Sequence, residues 1–250
     1  MVAESEDPHD SPFGELPERG RRTLPGGAAV ARSTLGSVRI LLYGLTGYTG
    51  VNIAREAAAR GHEVIGVARH SAEGELPEGV TAVVGDVRDA ETARAWARDV
   101  DAILMATQPL LDDGGTLLDA LPGLLAAAES SGARLGYIGG AASLHWEEGG
   151  PMLLDLGFPE EWKPAARVHV DVLRALRESD TTADWFFLSP PEIYGSHTPG
   201  TRTGAYRLGT DLAVQDSRGR SRIGGEDLAI AVLDELETPR HHRMRFTVGY

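Results

Sequence analysis

The sequence predicts an α/β fold: a doubly wound, mainly parallel sheet flanked by helices. Three observations predict it. Short apolar runs alternate with helix-prone segments from Val38 onward, and the first of these runs leads directly into a glycine loop. The length of 250 residues suits one such domain and is short for two. Strands that alternate with helices pair in parallel through right-handed crossovers, which gathers ligands at the carboxyl ends of the strands.

Residues 1–36 read as a flexible N-terminal extension, because Glu, Asp, Pro, Gly and Arg recur there without a period that could bury apolar surface. The domain then spans residues 37–250. Val38–Tyr43 (VRILLY) is the first strand, and the alanine-rich segment Thr49–Arg60, closed by Gly61, is the first helix. His62–Arg69 and Thr81–Val87 follow as strands, and Asp89–Asp99 as a helix with an acidic first turn. Asp101–Thr107 is the fourth strand, Gly115–Ser131 a helix bent at Pro122, and Arg134–Gly139 the fifth strand. Pro164–Ser179 is a helix with proline in its first turn, where a missing N–H costs little. Asp184–Leu188, the helix Glu226–Glu237 and the strand Arg243–Val248 complete the chain.

Composition removes several classes of function. Hydrophobic residues at 42% and charged residues at 24% are ordinary for a globular chain. The formal charge of −13 argues against nucleic acid, which requires a basic face. The absence of cysteine excludes disulfides, thiolate catalysis and thiolate metal sites. No apolar run approaches the ~20 residues of a membrane helix. Arg21-Arg22 could open an export signal, but Pro25, Gly26 and Gly27 interrupt any apolar segment behind it. The expectation is a cytoplasmic protein, monomeric or homodimeric, acting on a small molecule.

The loop Gly44-Leu45-Thr46-Gly47-Tyr48-Thr49-Gly50 carries the most chemistry. Standing between a strand and a helix, it is the fingerprint of a Rossmann-type dinucleotide site. Gly44 permits the tight turn, Gly47 lets backbone approach a pyrophosphate, and Gly50 allows close packing of helix on strand. Thr46, Tyr48 and Thr49 complete the expected phosphate-binding set at a helix N-terminus. NAD-preferring proteins place an acid about 20 residues downstream, where this chain has Ala68-Arg69-His70-Ser71. A guanidinium at Arg69 pairs with an adenosine 2′-phosphate, so NADP(H) is expected over NAD(H). Asp86, with Val87 beside it, is placed to face the adenine edge, with a turn or helix cap as the alternative. Thr107 and Gln108 should run beside the nicotinamide ribose, unless they form a plain strand exit.

Carbonyl reduction on this fold commonly uses a Tyr whose phenol is activated by a Lys four residues later. The single lysine is Lys163, and Pro159 stands four residues before it, so this dyad is absent. Gly139-Gly140-Ala141-Ala142-Ser143-Leu144, Phe158-Pro159-Glu160-Glu161-Trp162-Lys163-Pro164, Leu188-Ser189-Pro190-Pro191 and Arg245-Phe246-Thr247-Val248-Gly249-Tyr250 carry a resemblance, together with the glycine loop, Thr203-Gly204-Ala205-Tyr206 and Ser221-Arg222-Ile223. From about Val38 to Tyr250 the chain resembles atypical short-chain dehydrogenases/reductases, the NAD(P)H-binding NmrA-like family with its flavin reductase/biliverdin reductase B group. The resemblance implies that Ser143 lies near the nicotinamide and that Pro190-Pro191 shape the pocket floor. This chain departs from it at Glu192, where those reductases have histidine, and at Leu45, where they carry alanine.

Ser143, His169, Glu192 and Tyr194 are the candidate catalytic residues. His169 can relay a proton because its charge changes near neutral pH. Tyr194 and Tyr206 can donate phenolic protons without a Lys to activate them. His145 and Trp146 are expected at the mouth of the site, against plain core packing. His241-His242 lack a third ligand and read as surface residues, so no metal is expected.

Three functions follow from these residues. The first is NADPH-dependent reduction of a planar, conjugated acceptor such as a flavin, quinone or enone, with solvent supplying the proton. The second is a non-catalytic NADP(H)-binding sensor. The third is a non-redox cyclisation, dehydration or epimerisation, with Glu192 and His169 as an acid/base pair.

Overall fold

A computed structural model describes residues 36–70 and 76–250. The expected N-terminal extension lies outside the described residues except for Gly36, and so does Ser71. The chain runs β1 (Arg39–Tyr43), α1 (Tyr48–Ala59), β2 (Glu63–Ala68), β3 (Val80–Val84), α2 (Ala90–Ala97), β4 (Ala102–Met105), α3 (Leu117–Ser131) and β5 (Arg134–Ile138). It continues with α4 (Lys163–Glu178), β6 (Trp185–Ser189), β7 (Arg207–Gly209), α5 (Gly225–Glu237) and β8 (Met244–Gly249). The sheet order is β3-β2-β1-β4-β5-β6-β8-β7, parallel throughout except for β7 against β8. The order turns back between β1 and β4, which is where a crevice opens at the carboxyl ends of the strands.

The period of two along each strand feeds two apolar layers. Leu41, Ile103, Leu135, Tyr137, Trp185 and Phe187 face α2, α3 and α4. Ile40, Leu42, Leu104, Phe186, Leu188 and Phe246 face α1 and α5. β5 and β6 are buried along their whole length, as strands covered on both faces must be.

Helix ends follow local chemistry. Thr116 and Asp119 form a capping box at α3, and Gly132 closes that helix in the left-handed region at φ +76°. α3 is one continuous helix through Pro122. The third strand ends at Val84, short of the expected Val87, so Asp86 lies in the turn before α2. β7 has no counterpart in the sequence reading. It is three residues long and largely exposed, too short for a period to register.

Candidate functional site

β1 delivers the chain into the glycine loop. Gly44 adopts φ +93°, and a Cβ there would fall on the carbonyl of Ala106, which follows β4. A Cβ on Gly50 would strike the carbonyl oxygen of Gly44. Both positions therefore demand glycine for packing, and Gly50 itself does not border the cleft. Gly47 is the N-cap of α1 and supplies no side-chain cap, which leaves the first N–H groups of the helix to a ligand. Leu45 turns inward. Its Cδ2 would lie 2.5 Å from a Cβ on Gly66 of β2, so the larger side chain is accommodated by a glycine on the neighbouring strand.

A cleft of about 660 Å³ runs from this loop across the end of β4 to α4. Gly44, Thr46, Gly47, Tyr48 and Thr49 line one wall, and Thr107 and Gln108 the centre. The Thr107 hydroxyl is buried with no partner among the described residues. An orphaned hydroxyl in mid-cleft, beside an uncapped helix N-terminus, fits the ribose and pyrophosphate of a dinucleotide.

Arg69, Asp86, Val87 and Arg88 surround the end of the cleft beyond β2 and β3. Arg69 is ion-paired with Asp112. Arg88 reaches Asp86 at 2.7 Å and Asp113 at 2.5 Å. Arg88 holds the Asp86 carboxyl below its ordinary range, chiefly by hydrogen bonding, with a smaller Coulombic contribution from Arg69. Two guanidinium groups thus converge where sequence reasoning found one. Arg88 stands after Asp86 in a turn, a position with no regular spacing from the loop that could have revealed it.

At the opposite end His169, Glu192 and Tyr194 line the cleft. The Tyr194 hydroxyl lies 2.9 Å from Thr49 Oγ1, and burial raises its pKa above the ordinary phenol value. Tyr48 donates to the Pro199 carbonyl at 3.0 Å and accepts from the Gly225 N–H at 3.0 Å. These side chains pin the first turn of α1 to the later half of the chain. The hydrogen bond to Thr49 makes Tyr194 a brace for the first turn of α1, and its phenol stays protonated. His169 Nδ1 lies 3.1 Å from the Tyr137 hydroxyl, and burial pushes its pKa down to about 4.

Ser143 does not line the cleft. It is buried behind it, where Arg245 of β8 donates to Ser143 Oγ at 3.2 Å and to Ser189 Oγ at 3.3 Å. Arg245 is itself buried and ion-paired with Asp211. The serine satisfies a buried guanidinium, whereas the resemblance implies a place beside the nicotinamide.

His145 and Trp146 also lie outside the cleft lining. His145 Nδ1 contacts the Gly150 carbonyl at 2.7 Å, and Trp146 packs on Leu144, Leu153 and Ala213. The aromatic wall is instead Phe158, Trp162 and His197, with ring centroids 6.5 and 6.4 Å apart along the row. A Phe and a Trp four residues apart, just before a helix, were the available signal. His241 also departs from its surface reading: its Nδ1 lies 2.6 Å from the buried Glu235, and its ring stacks on Phe246. Tyr206 donates to Asp234 and is not among the residues that line the cleft. Among the described residues no group of three or more His, Cys, Asp or Glu could hold a metal, and no helix is long and apolar enough to cross a membrane.

The family model described as NAD(P)H-binding matches residues 44–239. The uncharacterized protein YwnB of Bacillus subtilis is 35% identical over 217 residues, which is 84% of this chain and 98% of that protein. A crystal structure from Bacteroides thetaiotaomicron, provisionally named an epimerase, superposes at a TM-score of 0.75 with 33% identity, over 86% of this chain and 98% of that one. One from Streptococcus pneumoniae, provisionally named an NADH-flavin reductase, superposes at 0.74 with 27% identity, over 85% and 99%.

Proposed function

The chain belongs to the NAD(P)H-binding family, and on that premise we propose that it is an NADPH-dependent oxidoreductase that reduces a planar, conjugated acceptor such as a flavin or quinone. One observation carries this reading. A single cleft joins the uncapped glycine loop to an aromatic row of Phe158, Trp162 and His197, and no Tyr-Lys dyad stands between them. When bound, the nicotinamide supplies a hydride. The chain's own residues hold and orient: Thr46 to Thr49 take the phosphates, and Thr107 takes a ribose hydroxyl. Arg69 and Arg88 are the charges suited to a 2′-phosphate. The aromatic row supplies flat faces against which a conjugated ring stacks.

Such acceptors take hydride at a polarised carbon or nitrogen, and the proton can come from solvent, so the missing dyad is no obstacle. The name of the pneumococcal relative agrees with this chemistry. The test is NADPH consumption with FMN and with a naphthoquinone as acceptors. Sustained turnover with either is expected, at a lower KM for NADPH than for NADH. NADPH binding without turnover over a broad acceptor panel would overturn the reading in favour of a sensor. Activity in the absence of any nicotinamide would overturn it in favour of a non-redox reaction.

A further inference from the structure

Tyr137 stands near the carboxyl end of β5, stacked on Phe187 at 5.0 Å and almost wholly buried. Its hydroxyl carries one hydrogen, and among the described residues its hydrogen-bond partner is His169 Nδ1 at 3.1 Å. The ring of His169 meets Tyr137 edge-on, and its Cδ2 edge lies beside Gly140, where a Cβ would come to 3.1 Å. Two arrangements satisfy that distance. If Nδ1 carried the proton it would donate to the phenolic oxygen, and the phenol hydrogen would be left buried without an acceptor. If the phenol donates, both groups are satisfied. Burial keeps the imidazole neutral near pH 7, so it carries one ring proton, and the hydrogen bond from the phenol decides which nitrogen holds it.

We infer that Tyr137 is a positioning residue that locks His169 as the Nε2–H tautomer, so that the imidazole presents a fixed hydrogen-bond donor to a carbonyl oxygen of the acceptor. This rests on the reductase reading for its acceptor, and on the Tyr137–His169 geometry alone for its tautomer. It narrows the substrate class to acceptors with a carbonyl conjugated to the carbon or nitrogen that takes the hydride. As that atom is reduced, electron density moves onto the carbonyl oxygen. His169 Nε2–H polarises the bond without releasing its proton, and water protonates the oxygen. A neutral imidazole that gave up its proton would become an imidazolate, which a buried site penalises.

The test is ¹⁵N NMR of imidazole-labelled protein at neutral pH, with the His169 signals identified by their loss in His169→Gln. The expected spectrum shows a protonated Nε2 and a bare Nδ1. In Tyr137→Phe, which keeps the stacked ring, the two tautomers should mix while NADPH affinity is retained. A wild-type spectrum with protonated Nδ1, or an unchanged tautomer in Tyr137→Phe, overturns the inference. Kinetics with a naphthoquinone supply the second readout. Tyr137→Phe should lower kcat about 3–10-fold with KM for NADPH unchanged, on the scale of one net hydrogen bond. His169→Gln, whose amide can place an N–H near Nε2, should retain more activity than His169→Ala. Equal losses in the two variants would count against the donor role. Absence of turnover in the wild-type protein sinks the reductase reading and leaves the tautomer to be decided by the spectrum.

Discussion

The two ends of the cleft are built on opposite electrical principles. Where Arg69, Arg88, Asp86, Asp112 and Asp113 meet, every charge is at least a third exposed, and the guanidinium groups already hold carboxylates of their own chain. Pairs of this kind contribute about 0–1 kcal/mol each, because water and salt screen them. At the other end Tyr137 and His169 carry no charge, yet burial shifts both pKa values, the phenol upward and the imidazole down to about 4. On the proposed reading the first end adjusts affinity by exchanging one partner for another, and the second fixes a donor by leaving it no alternative. Recognition of the cofactor's charge is then soft, and the environment of the acceptor stiff.

The largest effect tests the glycine loop that packs α1 on β1. Gly50→Ala drives a methyl group against the Gly44 carbonyl and should cost about 3 kcal/mol or more. Tm should fall by roughly 6–12 °C, with NADPH binding largely lost. A stable, cofactor-binding variant would mean that the loop yields, and that the stiff region does not extend to it.

Ser143→Ala separates architecture from chemistry at the stiff end. Removing an acceptor from the buried Arg245 should lower stability by about 1–3 kcal/mol, visible as a drop in Tm. NADPH affinity should hold, and kcat should fall by less than ~100-fold, well short of a dedicated acid's contribution. His169→Ala and Glu192→Gln should also stay within ~100-fold in kcat. A loss of about 10³-fold in any of the three, at unchanged NADPH affinity, would identify a dedicated proton donor and end the solvent-proton mechanism.

The buried imidazole also sets a pH signature. Its folded pKa, about 4, lies below the ordinary 6.5, so the unfolded chain binds the proton more readily. The neutral form stabilises the fold above about pH 6.5, and that stability is lost as pH falls toward 4. The loss should be on the order of 1–3 kcal/mol, since one edge of the ring remains open to the cleft. Denaturant titrations at pH 7 and pH 4.5 should show the decline, and His169→Gln should flatten it. Glu235 contributes a separate loss at lower pH, because its folded pKa of about 2 lies below the usual 4.5.

The smallest effects belong to the soft end. Arg69→Ala should weaken NADPH by about 1–2 kcal/mol, discounted for exposure, and leave NADH nearly unchanged. Asp112→Asn should do the reverse, tightening NADPH about twofold at low salt by freeing the guanidinium from its internal partner. Equal losses of NADPH and NADH in Arg69→Ala would make that arginine structural. Asp112→Asn without effect would show that the 2′-phosphate does not compete with this carboxylate. Isothermal titration at two salt concentrations reads both.

The sequence by itself determined what neighbouring residues decide. Gly44, Gly47 and Gly50 act within one turn, short apolar runs mark β1 through β6 and β8, and Thr116, Pro164 and Gly132 set helix ends through local hydrogen bonding and φ. Arg69 could be placed because it follows a strand at a fixed reach from the loop. Tertiary structure alone decided where polar side chains end up. Ser143 and Arg245 are 102 residues apart, Thr49 and Tyr194 are 145, and Tyr137 and His169 are 32. Nothing in a strand's alternation tells whether an inward tyrosine meets a histidine or a leucine. A buried polar group must be satisfied, but the chain meets that demand with whichever distant residue the crossovers bring within 3 Å. That is why Ser143 became support for a buried arginine, and Tyr137, unremarked among apolar neighbours in β5, became the partner of the cleft histidine.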